Sequence, residues 1–203
     1  KINGVDYTTN GLAEGWAEWS LTLNGLNGSM TDVGTITLQR RGMLTLDNTE
    51  RLDATSGVTG GNNNDRVADD AVFSMQNGWL RINGGTADNT EVLGTMNVRS
   101  GTSLLDLYPT DGAGTNMTLT LTTLNRAPGE GVLRVQNLDA TSTFALTTTG
   151  ESVRLAVGTL NAIQMGGGGA ANTTTRDVVL GIFGGNIPLG LDTDFRILGF
   201  NNG

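Results

Sequence analysis

From about residue 35 onward, apolar and small polar residues alternate in short runs bounded by Gly, Asn or Asp. Thr35-Ile36-Thr37-Leu38, Met43-Leu44-Thr45-Leu46, Val72-Phe73-Ser74-Met75 and Trp79-Leu80-Arg81-Ile82 set the pattern. It returns over 92–98, 104–108, 117–124, 132–138, 144–147, 153–160, 178–183 and 195–200. In Met117-Thr118-Leu119-Thr120-Leu121-Thr122 the period is two, which puts the apolar side chains on one face of a strand and the threonines on the other. Thr, Val and Ile suit a pleated surface, whereas Gly and Asn weaken helices. The pattern therefore predicts an all-β chain without long helices.

Short strands with tight turns fit either an antiparallel β-sandwich of hairpins or a parallel solenoid. Asn-Gly pairs at Asn3, Asn10, Asn24, Asn27, Asn77, Asn83 and Asn202 favour hairpins, because Asn-Gly supplies both positive-φ residues of a type I′ turn. Strand starts at 117, 132, 144 and 153, with Thr and Asn able to ladder between layers, favour a solenoid. The pattern leaves both open, and the scarcity of aromatic residues leans toward the solenoid.

Composition removes chemistry. Gly supplies 31 of the 203 residues and aromatic residues only 5%, so turns are frequent and large hydrophobic anchors few. The absence of His and Cys excludes Ser-His-Asp and Cys nucleophiles, imidazole or thiolate zinc sites, and thiol redox centres. A net charge of −8 speaks against a nucleic-acid partner, whose affinity comes from neutralised phosphates. No unbroken apolar stretch of about 20 residues offers membrane insertion by this segment. A cysteine-free chain fits a bacterial surface or secreted protein without requiring it. Because it opens at Lys1 without a signal segment and stops just after the apolar run at 195–200, the expectation is a processed protein or a piece of a longer one.

The order of the motifs breaks the tie. Gly42-Met43-Leu44-Thr45-Leu46-Asp47-Asn48, then Asn62 to Val72, then Asn77-Gly78-Trp79-Leu80, resembles the repeat unit of autotransporter-associated β-strand repeat proteins. Thr90-Glu91-Val92-Leu93-Gly94-Thr95-Met96, the strand and turn from Leu119 to Gly129, and Val132 to Leu138 continue the resemblance in the same order. It covers roughly 42 to 138 and extends more weakly to about 185. The resemblance implies a right-handed parallel β-helix, part of a large bacterial surface or secreted protein exported across the outer membrane. The aromatic-rich strands of an outer-membrane barrel are not found in this chain. The expected domain is one solenoid segment over 1–203, with 1–34 as an end-cap region and 35–200 as rungs.

Several residues invite a site. Gly60-Gly61-Asn62-Asn63-Asn64-Asp65-Arg66-Val67 approximates a calcium-binding nonapeptide with Asn63 in place of the third Gly. Asp65, Asp69 and Asp70 are its candidate calcium ligands; the plainer reading of this single copy is an Asn-rich turn. Asp69 and Asp70 could also serve glycan cleavage, but neighbours on a strand face opposite ways, so a catalytic pair needs a carboxylate from another rung. Trp16, Trp19, Trp79, Tyr7 and Tyr108 could stack on sugar rings, although Gly15-Trp16-Ala17-Glu18-Trp19 reads first as a plug over the end of a coil. Arg40-Arg41 is a basic spot in an acidic chain, suited to a rim salt bridge. Gly166 to Gly169 lacks the Lys and helix of a phosphate loop, and the sequons at Asn27, Asn116 and Asn172 are ordinary in so Asn- and Thr-rich a chain.

These readings converge on a non-catalytic structural or adhesive scaffold, extracellular and on a bacterial surface, with no cofactor unless calcium. Its expected partners are copies of itself or adjoining segments stacked end to end, and surface glycans. The alternative is a glycan-binding or glycan-cleaving β-helix.

Overall fold

The computed structural model describes residues 5–6, 19–49, 52–53, 57–58, 63–108, 116–137, 152–162, 164–165, 177–186 and 196–200. These residues are all-β, with no helix among them. The strands are β1 (Val5–Asp6), β2 (Ser20–Leu23), β3 (Thr35–Gln39), β4 (Met43–Asp47), β5 (Leu52–Asp53), β6 (Gly57–Val58), β7 (Val72–Gln76) and β8 (Trp79–Asn83). They continue with β9 (Asn89–Ser100), β10 (Thr102–Tyr108), β11 (Asn116–Asn125), β12 (Val132–Asn137), β13 (Ser152–Asn161), β14 (Gln164–Met165), β15 (Asp177–Asn186) and β16 (Arg196–Phe200). The expected run at 144–147 lies outside the described residues.

A parallel neighbour cannot be reached by a tight hairpin, so the chain must leave a sheet and come back to it. Here it does so by way of a second sheet. A nine-stranded sheet is ordered β1-β2-β4-β8-β10-β12-β15-β14, with β16 also on β15, and a five-stranded sheet is ordered β13-β11-β9-β7-β3. From β2 to β4, and again from β7 to β13, successive strands alternate between the two sheets and pair in parallel with the strand one turn earlier. Parallel pairing already begins at Ser20, inside the stretch expected to cap the end. Antiparallel pairing among the described strands is confined to β1–β2, β5–β6, β14–β15 and β15–β16, so the hairpin sandwich gains no clear support. Asn77-Gly78 shows why: Asn77 has φ 61°, but the turn passes the chain from β7 in one sheet to β8 in the other.

Register stacks like on like. Leu21, Leu44, Leu80, Leu105 and Val135 form one column of the large sheet. Ile36, Phe73, Met96, Leu124 and Leu160 form one of the small sheet. These columns belong to one core between the sheets, mostly fully buried, with Leu21 and Leu160 partly buried against it. Strands β9, β11 and β13 pair on either side of Gly94, Thr122 and Gly158 but skip those positions. A Cβ at Gly94 would fall within 2.6 Å of the Asp70 carbonyl group, so only glycine admits the neighbouring turn there.

The outward face of the small sheet carries an amide ladder. Asn161 Nδ2 donates to Asn125 Oδ1 at 2.8 Å, and Asn125 Nδ2 donates to Asn97 Oδ1 at 2.9 Å. The parallel register sets these three asparagines directly beside one another, so each amide can donate to the next. Asn125→Ala breaks both bonds and is expected to lower stability by about 1–2 kcal/mol, measured by urea denaturation, whereas loss of one isolated surface bond would be nearly silent.

Candidate functional site

Asp65, Asp69 and Asp70 lie in the segment leading into β7, and all three are exposed. The backbone N–H of Asp65 donates to Asn63 Oδ1 at 3.0 Å, a local Asx turn. Among the described residues no group of three or more acidic side chains is placed to hold a metal ion. The turn that the nonapeptide resemblance singled out instead directs its next residue inward.

That residue is Arg66, which is fully buried. Its Nε donates to Asn48 Oδ1 at 2.6 Å, and its NH1 donates to the carbonyl oxygens of Gly28 at 2.7 Å and Gly25 at 3.0 Å. The carboxylate of Glu91, inward-facing on β9, accepts the backbone N–H groups of Val67 at 3.0 Å and Arg66 at 3.2 Å. One charge pair thus ties the loop after β2, the end of β4, the segment before β7 and β9. Burial lowers the pKa of Arg66, opposed by the charges of Glu91 and Asp47. Burial pushes Glu91 up to about 7, opposed first by the two backbone N–H groups and then by Arg66. The hub has the composition of a structural tie, with the Nε and NH1 donors of Arg66 aimed at the protein's own amide and carbonyl oxygens.

A second polar cluster lies on the outward face of the large sheet. Arg81 on β8 is in register with Asp106 on β10, and Asp106 with Gln136 on β12. Arg81 NH2 lies 3.4 Å from Asp106 Oδ2, and the Arg81 guanidinium stacks 4.6 Å from the centroid of Trp79. Asp106 is fully buried, and burial pushes its pKa up to about 7, opposed first by Arg81 and then by Trp79 and Gln136. Trp79 Nε1 and Asp106 Oδ1 are both buried without a well-formed hydrogen bond, so the indole favours the charge by proximity alone. Trp79 is only 6% exposed and offers no open ring for a sugar. Asp47, also outward on β4, accepts the Thr49 hydroxyl at 2.7 Å and lies 3.4 Å from Asn83 Nδ2. It serves the end of its strand, and glycan cleavage would need a second carboxyl facing Asp106 across a cleft.

The exposed aromatic chemistry is elsewhere. Trp19 is 43% exposed, and its indole packs so close to Gly42 that a Cβ there would collide with the ring. Gly42 closes a turn in which its N–H donates to the Gln39 carbonyl at 2.9 Å. The central residues are Arg40 and Arg41, with φ 51° and 59°, the values of a type I′ turn usually given to Asn and Gly. Each arginine there costs about 1 kcal/mol of backbone strain. Both are exposed. A rim salt bridge is made by Arg99, whose NH1 meets Glu130 Oε1 at 2.9 Å. Tyr108 is half-buried, Asn27 is exposed and Asn116 half-buried. Trp16, Tyr7, Gly166 to Gly169 and Asn172 lie outside the described residues. No family model, no curated protein and no solved structure matches the chain.

Proposed function

We propose that this chain is a non-catalytic scaffold, a right-handed parallel β-helix of a bacterial surface or secreted protein. The observation that supports this reading is the alternation of strands between two parallel sheets with like residues in register, from β2 to β4 and from β7 to β13. Such a stack gains stability layer by layer, because each strand offers the next a row of backbone groups and a matching column of side chains. Its net charge of −8 keeps the surface soluble. The buried carboxylates Glu91 and Asp106 are engaged in holding layers together, so no reaction is assigned to them.

Contact with copies or adjoining segments would run through the small sheet. The large sheet carries antiparallel strands, β1 and β16, at its margins, while the small sheet ends in the parallel strands β3 and β13. Neither pairs with a further strand among the described residues, and parallel edges of this kind are templates for one. Immunogold electron microscopy of intact source cells, with an antibody against this chain, tests the reading. Label on the outer surface of rods or filaments is the expected result. Label seen only after permeabilisation, on compact soluble particles, would overturn it.

A further inference from the structure

We infer that the edge of β13 is a docking slot for one extended strand of another polypeptide, apolar at alternate positions and carrying a carboxylate opposite Arg154. This deepens the strand contact proposed above by naming the edge, the register and the charge of the partner, and it rests on that contact and not on the cellular location.

One strand is missing from the stack. The large sheet continues past β12 with β15, and Ile182 of β15 is buried in the common core at 4% exposure. Among the described residues the small sheet has no strand beyond β13 to stand opposite it. Exposure along the columns marks the same gap. Leu119, Leu121 and Leu124 of β11 are 0%, 0% and 2% exposed, whereas Leu155, Val157 and Leu160, their in-register neighbours on β13, are only half-buried. At the other margin β3 keeps Ile36 and Leu38 buried, so the core is closed there and open here. A strand laid on β13 covers the three side chains and pairs with the backbone groups of the edge. β13 is also ten residues long with a single charge, and so lacks the short length and clustered charges that usually protect an edge. The skipped position at Gly158 does not block pairing, because β11 skips Thr122 and still pairs on both sides.

The edge chemistry specifies the partner. Arg154 is exposed and makes no ion pair among the described residues, on a chain of net charge −8. A carboxylate directly opposite it on the next strand supplies the countercharge. Asn161 ends the amide ladder by donating to Asn125, so an asparagine on the next strand extends the ladder through Asn161 Oδ1. A single strand fits this notch more readily than a folded copy, whose large sheet would come with it into space that β15 holds.

The test is fluorescence anisotropy of the whole chain, at low ionic strength, with a labelled peptide of the β13 sequence, Ser152–Asn161, carrying Arg154→Glu. The unaltered sequence and a scrambled one are the controls. Expected is binding of the glutamate peptide about three- to tenfold tighter than the arginine peptide. The preference should reverse in the chain variant Arg154→Glu, which changes an exposed side chain and keeps the fold. Amide exchange should slow along β13 and not along β3 when the peptide binds. Four results would overturn the inference: no binding of the glutamate peptide, equal binding of the scrambled one, no reversal in the variant, or edge-facing β13 amides already protected in the free chain. That last protection would come from a second copy, seen as a dimer in sedimentation, or from the chain itself. None of these results decides whether the protein lies on a cell surface, which the electron microscopy reads separately.

Discussion

Arg66→Ala is expected to destabilise the fold by about 3–5 kcal/mol, the range found when one member of a buried charge pair is removed. Its guanidinium is fully buried and is shared by Asn48 Oδ1 and the carbonyls of Gly25 and Gly28. Truncation would strand those acceptors, open a cavity and leave the Glu91 carboxylate buried without its countercharge. Arg66→Lys keeps the charge but cannot fork toward three acceptors, so an intermediate loss is expected. A double-mutant cycle with Glu91→Gln, read by guanidinium denaturation, separates the ion pair from the hydrogen bonds to the loop. A loss below about 1 kcal/mol for Arg66→Ala, within the range of surface changes and small deletions, would show that the four segments hold together without this hub.

The second large effect is on pH. Glu91 and Asp106 both have folded pKa values of about 7, against ordinary values of 4.5 and 3.8. Between about pH 4 and 7 the folded chain therefore keeps protons that the unfolded chain has released. The slope of stability with pH is then negative: the contribution is full below the unfolded pKa values and is lost as pH rises through the folded ones. Unfolding free energy is expected to be higher at pH 5 than at pH 8 by about 5 kcal/mol. Urea titrations at the two values check this, and Glu91→Gln and Asp106→Asn should each flatten the slope. A stability that rises steadily from pH 5 to 8 would mean that both carboxylates are ionised in the fold at little cost.

How much of this was legible beforehand follows from which contacts are local. The period-two runs at 35–38, 43–46, 72–75, 79–82 and 117–124 became strands because alternation is a property of neighbouring residues, carried by the pleat itself. Ser20–Leu23 follows the same rule, but a single four-residue run beside Gly15-Trp16 gives no sign of its partner and by sequence belongs with a cap. The Asn-Gly pair marked a turn at 77 and 78, but only Asn77 takes positive φ, and the pair did not say whether the next strand folds back beside the last or crosses to another sheet. Arg66 and Glu91 are 25 positions apart, so the residues quoted as a calcium motif and as a family-like strand gave no hint of meeting.

The sequence by itself determined the all-β character, the strand positions, and the absence of imidazole and thiol chemistry, because each is set by residue type and local spacing. Only the tertiary structure decided that successive strands alternate between two parallel sheets. It also decided that Asn97, Asn125 and Asn161 form one ladder, that Arg66 and Glu91 are interior, and that Trp19 rather than Trp79 is open to solvent. Those outcomes depend on register between distant segments and on the burial it creates, and burial is what turns an ordinary Glu, Asp or Arg into a group with shifted protonation and a fixed partner.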